Sequence, residues 1–253
     1  MNMIKSVIAA AVLAVALVAP AMASETPAPA KQQWSFKGPF GTFDRSALQR
    51  GFQVYKEVCS ACHAMQQVYY RNLAALGYNE DEIKALAASV EVQDGPNDEG
   101  VMFNRPGRPY DRFKSPFPND NAARAANNGA LPPDLSVITK ARHHGADYIY
   151  ALMTGYKPAP ASMKMPDGMS YNTAFAGAQI AMVSPLSEGS VTFADGTKAT
   201  VPQMAHDVVT FLSWAAEPEM EARKRLGLKV MLFLLLLTGV LFAAKRRIWA
   251  NVH

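Results

Sequence analysis

Two apolar runs mark the ends of the chain, and apolar and polar positions alternate between them. The first run, Val7 to Val18, follows Lys5 and ends in an Ala-Met-Ala cleavage pattern at 21–23. A run of this length is short for a membrane span. We therefore expect residues 1–23 to be a cleaved export signal rather than a first membrane anchor.

The second run, Leu228 to Ala244, is apolar except for Lys229. At about 1.5 Å rise per residue it extends roughly 25 Å, enough for a thin bilayer core. The basic cluster that begins at Lys245 ends the run, and Trp249 suits a membrane interface. The pattern predicts one membrane helix within a C-terminal anchor at 223–253, and the alternative is a buried core helix.

The basic residues that flank this run are balanced on its two sides, so they do not fix its orientation. The expected export signal fixes the orientation, because it sends the large domain that precedes the membrane helix across the membrane. We expect the domain at 24–222 outside the cytoplasm, which is the periplasm in a bacterium, and a short cytoplasmic tail.

Between the runs, four segments carry apolar residues at helical spacing. We expect helices at Ser46–Val58, Glu80–Ala88, Ala146–Thr154 and from Pro202 onward. The second of these has acidic residues in its first turn, and the third ends at a glycine. The last helix should break or kink at Glu217-Pro218 before the membrane run.

Two further segments are rich in turn-forming residues. Residues 93–121 contain many Pro, Gly and Asp residues and are expected to form a long ordered loop. Residues 190–200 surround an Asp-Gly pair, which predicts a small β-hairpin. There are no internal repeats. The predicted fold class is mainly α, with long loops, a small hairpin and one C-terminal transmembrane helix.

Composition changes this picture only through charge. The chain has 253 residues, 49% of them hydrophobic, and a formal charge of +4. Residues 24–222 hold 17 Lys and Arg against 21 Asp and Glu, so the exported part carries −4. The basic character belongs to the membrane end. Nucleic-acid binding is disfavoured, and a positively charged partner for the exported part becomes plausible.

The chain contains only two cysteines, and they form the motif Cys59-Ser60-Ala61-Cys62-His63. This is the pattern of c-type haem attachment, in which two thiols add to the haem vinyl groups and the histidine binds the iron. The competing interpretations are a redox dithiol, a disulfide and half of a zinc site. The adjacent His143 and His144 are poorly placed for zinc, and a helical context disfavours a thioredoxin-like site.

The second axial ligand determines whether the iron is closed for electron transfer or open to small molecules, and methionine is the leading candidate. Met65 is too close to His63, and Met153 lies on a predicted amphipathic helix where core packing is expected. Spacing alone does not separate the remaining candidates, which are Met163, Met165, Met169 and Met182.

From Trp34 to the end of the anchor, the sequence resembles the cytochrome c1 family, the haem subunits of the cytochrome bc1 complex (ubiquinol:cytochrome c oxidoreductase). Seven segments carry the resemblance, in order. They are CSACH, EVQDGPNDEG, RPGRPYDRF, ARAANNGALPPDLS, ARHHGADYIYALMTGY, GAQIAMVSPL and FLSWAAEPEMEARKRLGLK. The resemblance implies a cytochrome c-like haem domain with family-specific insertions.

The resemblance also implies residue roles. Met182 becomes the second axial ligand, and Arg142 and Tyr148 become contacts to the haem propionates. The ring-lining residues are Asn127, Ala130, Leu131 and Pro133. Some bacterial relatives tie down the methionine loop with another cysteine pair. Both cysteines of this chain are committed to haem, so packing alone is expected to hold that loop.

The implied function is one-electron transfer through a six-coordinate haem c in a bacterial inner membrane, in respiration or photosynthesis. The resemblance implies electrons from a Rieske iron-sulfur protein, a cytochrome c acceptor, and a dimeric complex that includes cytochrome b and membrane lipid. The acidic residues between Glu80 and Glu99 either steer a basic cytochrome or form a solvated loop. The alternatives are a free-standing membrane cytochrome and a haem enzyme with an open iron site.

Overall fold

The computed structural model describes residues 28–251, and the predicted export signal at 1–23 lies outside them. The described part is mostly helical, as predicted. Its helices are α1 (Arg45–Glu57), α2 (Glu80–Ala88), α3 (Asp120–Ala126), α4 (Ala146–Thr154), α5 (Val201–Ala216) and α6 (Met220–Ile248). The predicted helices therefore correspond to α1, α2, α4 and α5, with boundaries that differ by one residue at most.

Helix α1 begins at a cap formed by Asp44, whose carboxylate accepts the backbone N–H groups of Ser46 at 2.9 Å and Ala47 at 3.2 Å. Its buried side includes Leu48, Phe52 and Tyr55, which lie on one face at helical spacing. This face packs into the core of the domain and holds the following cysteine motif against it.

Helices α1 and α5 cross in close contact at Gly51. A Cβ atom added there would lie 2.0 Å from the backbone oxygen of Asp207, so only glycine fits the crossing. Beside it, the rings of Phe52 and Phe211 have centroids 5.6 Å apart. The crossing fixes the position of the C-terminal end of α1, from which the haem motif continues.

A buried ion pair reinforces this crossing. Asp207 is fully buried and accepts hydrogen bonds from Nε of Arg50 at 2.7 Å and from Gln203 at 2.9 Å. Burial raises the pKa of Asp207, but the donors around it outweigh burial and lower it below its usual value. Arg50 also contacts Asp195 at 2.7 Å and so connects α1 to the loop before α5.

Two small antiparallel sheets lie in the described part of the chain. Strands β1 (Glu91–Asp94) and β2 (Phe103–Pro106) form a hairpin, with Glu91 opposite Pro106. Strands β3 (Ser170–Tyr171) and β4 (Gln179–Ile180) form the second pair. The fold therefore includes the expected small hairpin, but at a different place in the chain.

The prediction of a long ordered loop over 93–121 was partly wrong, because most of the β1–β2 hairpin and the start of α3 lie within it. Arg105 stabilises the hairpin by binding Asp94 and, at 2.6 Å, Asp111. The hairpin predicted at 190–200 was also wrong. A turn forms at Asp195, but the segment around it contains no strands.

One backbone bond closes the segment, from the N–H of Gly189 to the carbonyl of Ala199 at 2.9 Å, and polar groups inside it bond to α1 rather than forming a strand ladder. Gln53 of α1 donates to the carbonyl of Thr192 at 2.9 Å, and Arg50 binds the Asp195 carboxylate. The preference of Asp-Gly for a turn is local, whereas strand pairing is decided by the surrounding structure.

Helix α5 ends at Ala216, and α6 begins at Met220 after the predicted break at Glu217-Pro218. Helix α6 has 29 residues, and its most apolar 18-residue window has a mean hydropathy of 2.4 with none of it buried. By length and composition it can cross a membrane, and its full exposure is contrary to the alternative of a buried core helix.

The first turns of α6 are bonded to the globular domain. The ammonium group of Lys224 donates to the carbonyl oxygens of Phe36 at 2.7 Å and Gly41 at 2.9 Å. Glu221 accepts the backbone N–H of Phe43 at 2.8 Å and pairs with Arg45 at 2.7 Å. These contacts connect the segment before α1 to the start of the apolar helix.

A candidate haem-binding site

The cysteine motif follows directly from α1. Cys59–Ala61 form one 3₁₀ turn, in which the N–H groups of Cys62 and His63 both donate to the carbonyl of Cys59, at 3.1 and 2.9 Å. In a 3₁₀ turn, residues three apart lie on one side, so the two thiols face the same region. Burial, and then the neighbouring Cys62, raise the pKa of the Cys59 thiol to about 12.

Two of the competing interpretations of the cysteine pair, the disulfide and the zinc site, gain no support from the described residues. Both cysteines are free thiols rather than a disulfide. Within residues 28–251, no group of three or more His, Cys, Asp or Glu side chains is arranged to hold a metal ion. A structural zinc site, which needs four such ligands, therefore has no ligand set in this part of the chain.

His63 is half-buried, and its Nδ1 atom lies 2.8 Å from the carbonyl oxygen of Pro133. A carbonyl only accepts, so Nδ1 carries the proton and Nε2 keeps its lone pair. Burial lowers the pKa of His63, and the Pro133 carbonyl opposes this effect. The ring is thus held neutral and oriented, which is how histidine usually binds a metal.

The loop that contains Pro133 is fixed to the chain just after His63. The carboxylate of Asp134 accepts the backbone N–H of Gln66 at 2.8 Å, and the N–H of Leu135 donates to the carbonyl of Ala64 at 2.8 Å. These two bonds hold Pro133 in place beside the imidazole. The structure therefore brings one predicted ring-lining residue next to the predicted proximal ligand.

The other predicted ring-lining residues precede Pro133 on the same loop. Asn127 ends α3, where its amide donates to the carbonyl of Ala123 at 2.7 Å, and Ala130 donates its N–H to the carbonyl of Asn127 at 2.9 Å. Asn127, Ala130 and Leu131 are half-buried, whereas Pro133 is exposed. Leu131 keeps part of its apolar surface uncovered, which fits contact with a flat apolar ligand.

Arg142 and Tyr148 lie close enough to affect each other electrostatically. Burial raises the pKa of Tyr148, and the positive charge of Arg142 acts in the opposite direction. Arg142 is exposed, and among the described residues its side chain donates only to the neighbouring Ala141 carbonyl, at 3.0 Å. A cation without a carboxylate partner beside a phenol fits a ligand carboxylate such as a haem propionate.

Met182 is half-buried and lies in a bend after β4. The hydroxyl of Tyr156 donates to its backbone oxygen at 3.1 Å, and the β3–β4 pairing places Ile180 opposite Ser170. The loop is therefore held by a hydrogen bond and by strand pairing, beyond the packing that the sequence led us to expect. Met163, Met165 and Met169 are also half-buried, in the loop before β3.

Sequence reasoning missed two residues that position the site. Asp134 had a recognisable signal, because its carboxylate also accepts the N–H of Ser136 at 2.8 Å in the Asx turn that an Asp-x-Ser sequence favours. Tyr156 had no recognisable signal in the sequence, because its hydrogen bond to Met182 joins residues 26 positions apart. The first is a local pattern, and the second depends on the fold.

Comparisons with known proteins point to one family. The sequence model of the Cytochrome C1 family matches residues 34–252. Cytochrome c1 of Rhodospirillum rubrum is 52% identical over 238 residues, covering 88% of each chain. The potato (Solanum tuberosum) protein "Cytochrome c1-2, heme protein, mitochondrial" is 51% identical over 215 residues, covering 85% of this chain and 82% of the relative.

A third relative is longer than this chain. The protein named cytochrome b/c1 of Bradyrhizobium diazoefficiens is 49% identical over 247 residues, which cover 89% of this chain but 36% of the relative. The chain thus spans about a third of that relative's length, but most of the length of the other two. With a family match over most of its residues and relatives at half identity, the chain belongs to the cytochrome c1 family.

Proposed function

We propose that this chain is the membrane-anchored electron-transfer subunit of a cytochrome bc1 complex, carrying one haem c attached through Cys59 and Cys62. A cytochrome c1 is an electron-transfer subunit and not an enzyme on its own. The observation that carries the proposal is the hydrogen bond from Nδ1 of His63 to the Pro133 carbonyl, next to the two thiols. It leaves Nε2 free to bind iron.

Three groups of residues would hold the haem. The thiols of Cys59 and Cys62 would attach it, and His63 and Met182 would bind its iron. The loop residues Asn127, Ala130, Leu131 and Pro133 would line the ring, and Arg142 and Tyr148 would donate hydrogen bonds to the propionates. When bound, the haem supplies a metal centre that reversibly gains and loses one electron.

The axial residues determine what kind of chemistry is available. If His63 and Met182 both bound the iron, no position would remain for a substrate, and electron transfer would form no bond to the partner. The Met182 sulfur and the apolar surface of Leu131 would favour the reduced state and so raise the reduction potential. A high potential suits a late step in an electron-transfer chain.

The proposed partners are a Rieske iron-sulfur protein as electron donor, a cytochrome c as acceptor, and cytochrome b in a dimeric membrane complex. The relative named cytochrome b/c1, of which this chain covers 36%, supports the association with cytochrome b. For the acceptor, α2 offers acidic residues that point into solvent, and Glu80 and Asp81 are 82% and 95% exposed at their side chains. They would steer a basic cytochrome by long-range attraction.

The proposed location is a bacterial cell membrane, which α6 crosses once. Residues 1–23 would be removed on export, leaving the domain at 24–222 on the periplasmic side. Residues 223–253 would contain the anchor and a short cytoplasmic tail. Support comes from the length and apolar character of α6 and from the basic residues in its last turn, Lys245, Arg246 and Arg247.

Purification in mild detergent tests the proposal. We expect the chain to carry haem stain on a denaturing gel, and to lose the stain when Cys59 and Cys62 are replaced by Ser. We also expect cytochrome b and the Rieske protein to co-purify with it. A haem-stained chain that purifies alone would support the free-standing cytochrome, and a chain without covalent haem would refute the proposal.

A further inference from the structure

The turn at residues 38–41 exposes an aromatic side chain. The backbone N–H of Gly41 closes the turn by donating to the carbonyl of Gly38 at 3.4 Å. Gly38 has a positive φ of 80°, which glycine adopts readily. Phe40, at the tip, is 79% exposed, more than any other large apolar side chain of the described residues. Its neighbours Phe36 and Phe43, by contrast, pack together with ring centroids 5.1 Å apart.

This turn is bonded to the helix that we propose to cross the membrane. The ammonium of Lys224 donates to the carbonyl of Phe36, which lies just before the turn, and to the carbonyl of Gly41, which is the last residue of the turn. Glu221, one turn earlier on α6, accepts the N–H of Phe43. The turn is therefore held at the level of these two residues of the helix.

That level lies close to the membrane surface. The apolar run of α6 begins at Leu228, four residues after Lys224, which is about 6 Å along the helix. The polar layer on each side of the hydrocarbon core is roughly 5–8 Å thick. The turn therefore lies within or at the edge of the layer of lipid headgroups.

The charges at this level are suited to phospholipid. Arg225 and Lys229 are exposed on α6, and neither has a carboxylate partner in the part of the chain that the structure describes. Exposed cations at the end of a membrane helix attract lipid phosphates, and aromatic rings are enriched at the same depth. The other exposed apolar group, Val101, Met102 and Phe103 at the hairpin, has no comparable contact with α6.

We infer that the turn at residues 38–41 is a second membrane contact, in which the Phe40 ring lies among phospholipid headgroups while Arg225 and Lys229 bind lipid phosphate. The inference rests on the proposed membrane anchoring by α6. Two contacts, the helix and the turn, then fix the tilt of the haem domain relative to the bilayer, which a single helix does not.

Photocrosslinking in native membranes tests this inference. Phe40→benzoylphenylalanine keeps an aromatic side chain at the tip and, on illumination, labels whatever touches it. We expect an intact mass that is increased by one phospholipid. The same replacement at Leu235, in the exposed apolar part of α6, is the positive control, and at Phe103, 44% exposed on β2, it is the negative control. Haem content of each variant reports that it has folded.

The outcomes separate this inference from the proposal on which it rests. Lipid adducts at 235 and 40 but not at 103 support the second contact. A lipid adduct at 235 without one at 40, or a protein adduct at 40, overturns the second contact and leaves the membrane anchor intact. A protein adduct at 235 leaves the membrane anchor intact, since α6 then packs against another membrane subunit. No adduct of either kind at 235 overturns the membrane anchor, and the second contact with it.

Discussion

The hydroxyl of Tyr156 donates a 3.1 Å hydrogen bond to the backbone oxygen of Met182. Tyr156 lies just after α4, so the bond connects the loop of the proposed axial ligand to the helix that carries Tyr148. Burial, and then Tyr148, raise the pKa of Tyr156, which keeps its hydroxyl protonated as a donor over the whole physiological range.

Tyr156→Phe removes this donor without removing the ring. We expect a loss of about 1 kcal/mol in the free energy that holds the Met182 loop, the usual contribution of one hydrogen bond. The ferric sulfur-to-iron charge-transfer band should then disappear at a lower temperature than in the wild type. Tyr171→Phe is the control, since the Tyr171 hydroxyl bonds to no atom of residues 28–251. Equal melting of the band in both variants would exclude the role given to Tyr156.

Replacing each candidate methionine by leucine identifies the axial ligand. Met182→Leu should abolish the charge-transfer band, allow carbon monoxide to bind the ferrous haem, and lower the reduction potential, because sulfur favours the reduced iron. The measurements are visible spectra and a redox titration. Met163→Leu, Met165→Leu and Met169→Leu are the matched controls and should leave all three properties unchanged. A control variant that binds carbon monoxide would transfer the role to that methionine.

Gly51→Ala should destabilise the fold, because its new methyl group would lie 2.0 Å from the backbone oxygen of Asp207 and push α1 away from α5. The cost of such overpacking is on the order of 1–3 kcal/mol or more. The readout is the denaturant midpoint of the haem protein. Gly227→Ala is the control, since a Cβ there meets nothing within 4 Å and a helical glycine costs about 1 kcal/mol relative to alanine. It should be neutral or stabilising.

Asp147 fixes the segment before α1 to α4. It accepts hydrogen bonds from Trp34 at 2.6 Å and Lys37 at 2.8 Å, and its side chain is 9% exposed. Burial raises the pKa of this carboxyl, but its donors outweigh burial and lower it. Its contribution to stability is therefore complete above the unfolded pKa of about 4 and is lost as the pH falls through the lower folded value.

Asp147→Asn should cost about 2 kcal/mol at neutral pH, the range for hydrogen bonds to a charged group. It should also flatten the loss of stability below about pH 4, measured as the denaturant midpoint across a pH series. Lys37→Met removes only the half-exposed partner and should cost about 1 kcal/mol or less. A variant that kept the wild-type acid dependence would show that Asp147 does not titrate on unfolding.

Glu80→Gln with Asp81→Asn neutralises two exposed acids of α2. If α2 steers the acceptor, the association rate of a basic cytochrome c should fall at low salt, and its salt dependence should weaken. Stopped-flow oxidation measures both. Asp120→Asn with Asp167→Asn removes the same charge from exposed positions elsewhere. An equal effect of the two pairs would mean that total charge, and not α2, governs the rate.

The helices of the haem domain could be predicted from the sequence because their signals are local. The apolar spacing of α1, the acidic first turn of α2, and the Glu217-Pro218 break each lie within a few residues. The β1–β2 hairpin could not be predicted in this way. Arg105 stabilises it through Asp94 and Asp111, which are too far from Arg105 in the sequence to form a local pattern.

The site divides in the same way. Cys59, Cys62 and His63 form one contiguous motif whose chemistry can be read directly from its spacing. The carbonyl of Pro133 that orients His63 is 70 residues away, and the hydroxyl that holds Met182 is 26 residues away. Spacing therefore left four methionines equivalent, and only the family resemblance chose among them.

The bonds of Glu221 and Lys224 to residues 36–45 have a mechanical consequence. They restrict rotation of the haem domain about the membrane helix, because the helix is already bonded to the domain before its apolar part begins. The redox centre proposed here would consequently keep one position relative to α6. A carrier that exchanges electrons with the redox centre would therefore have to move toward it.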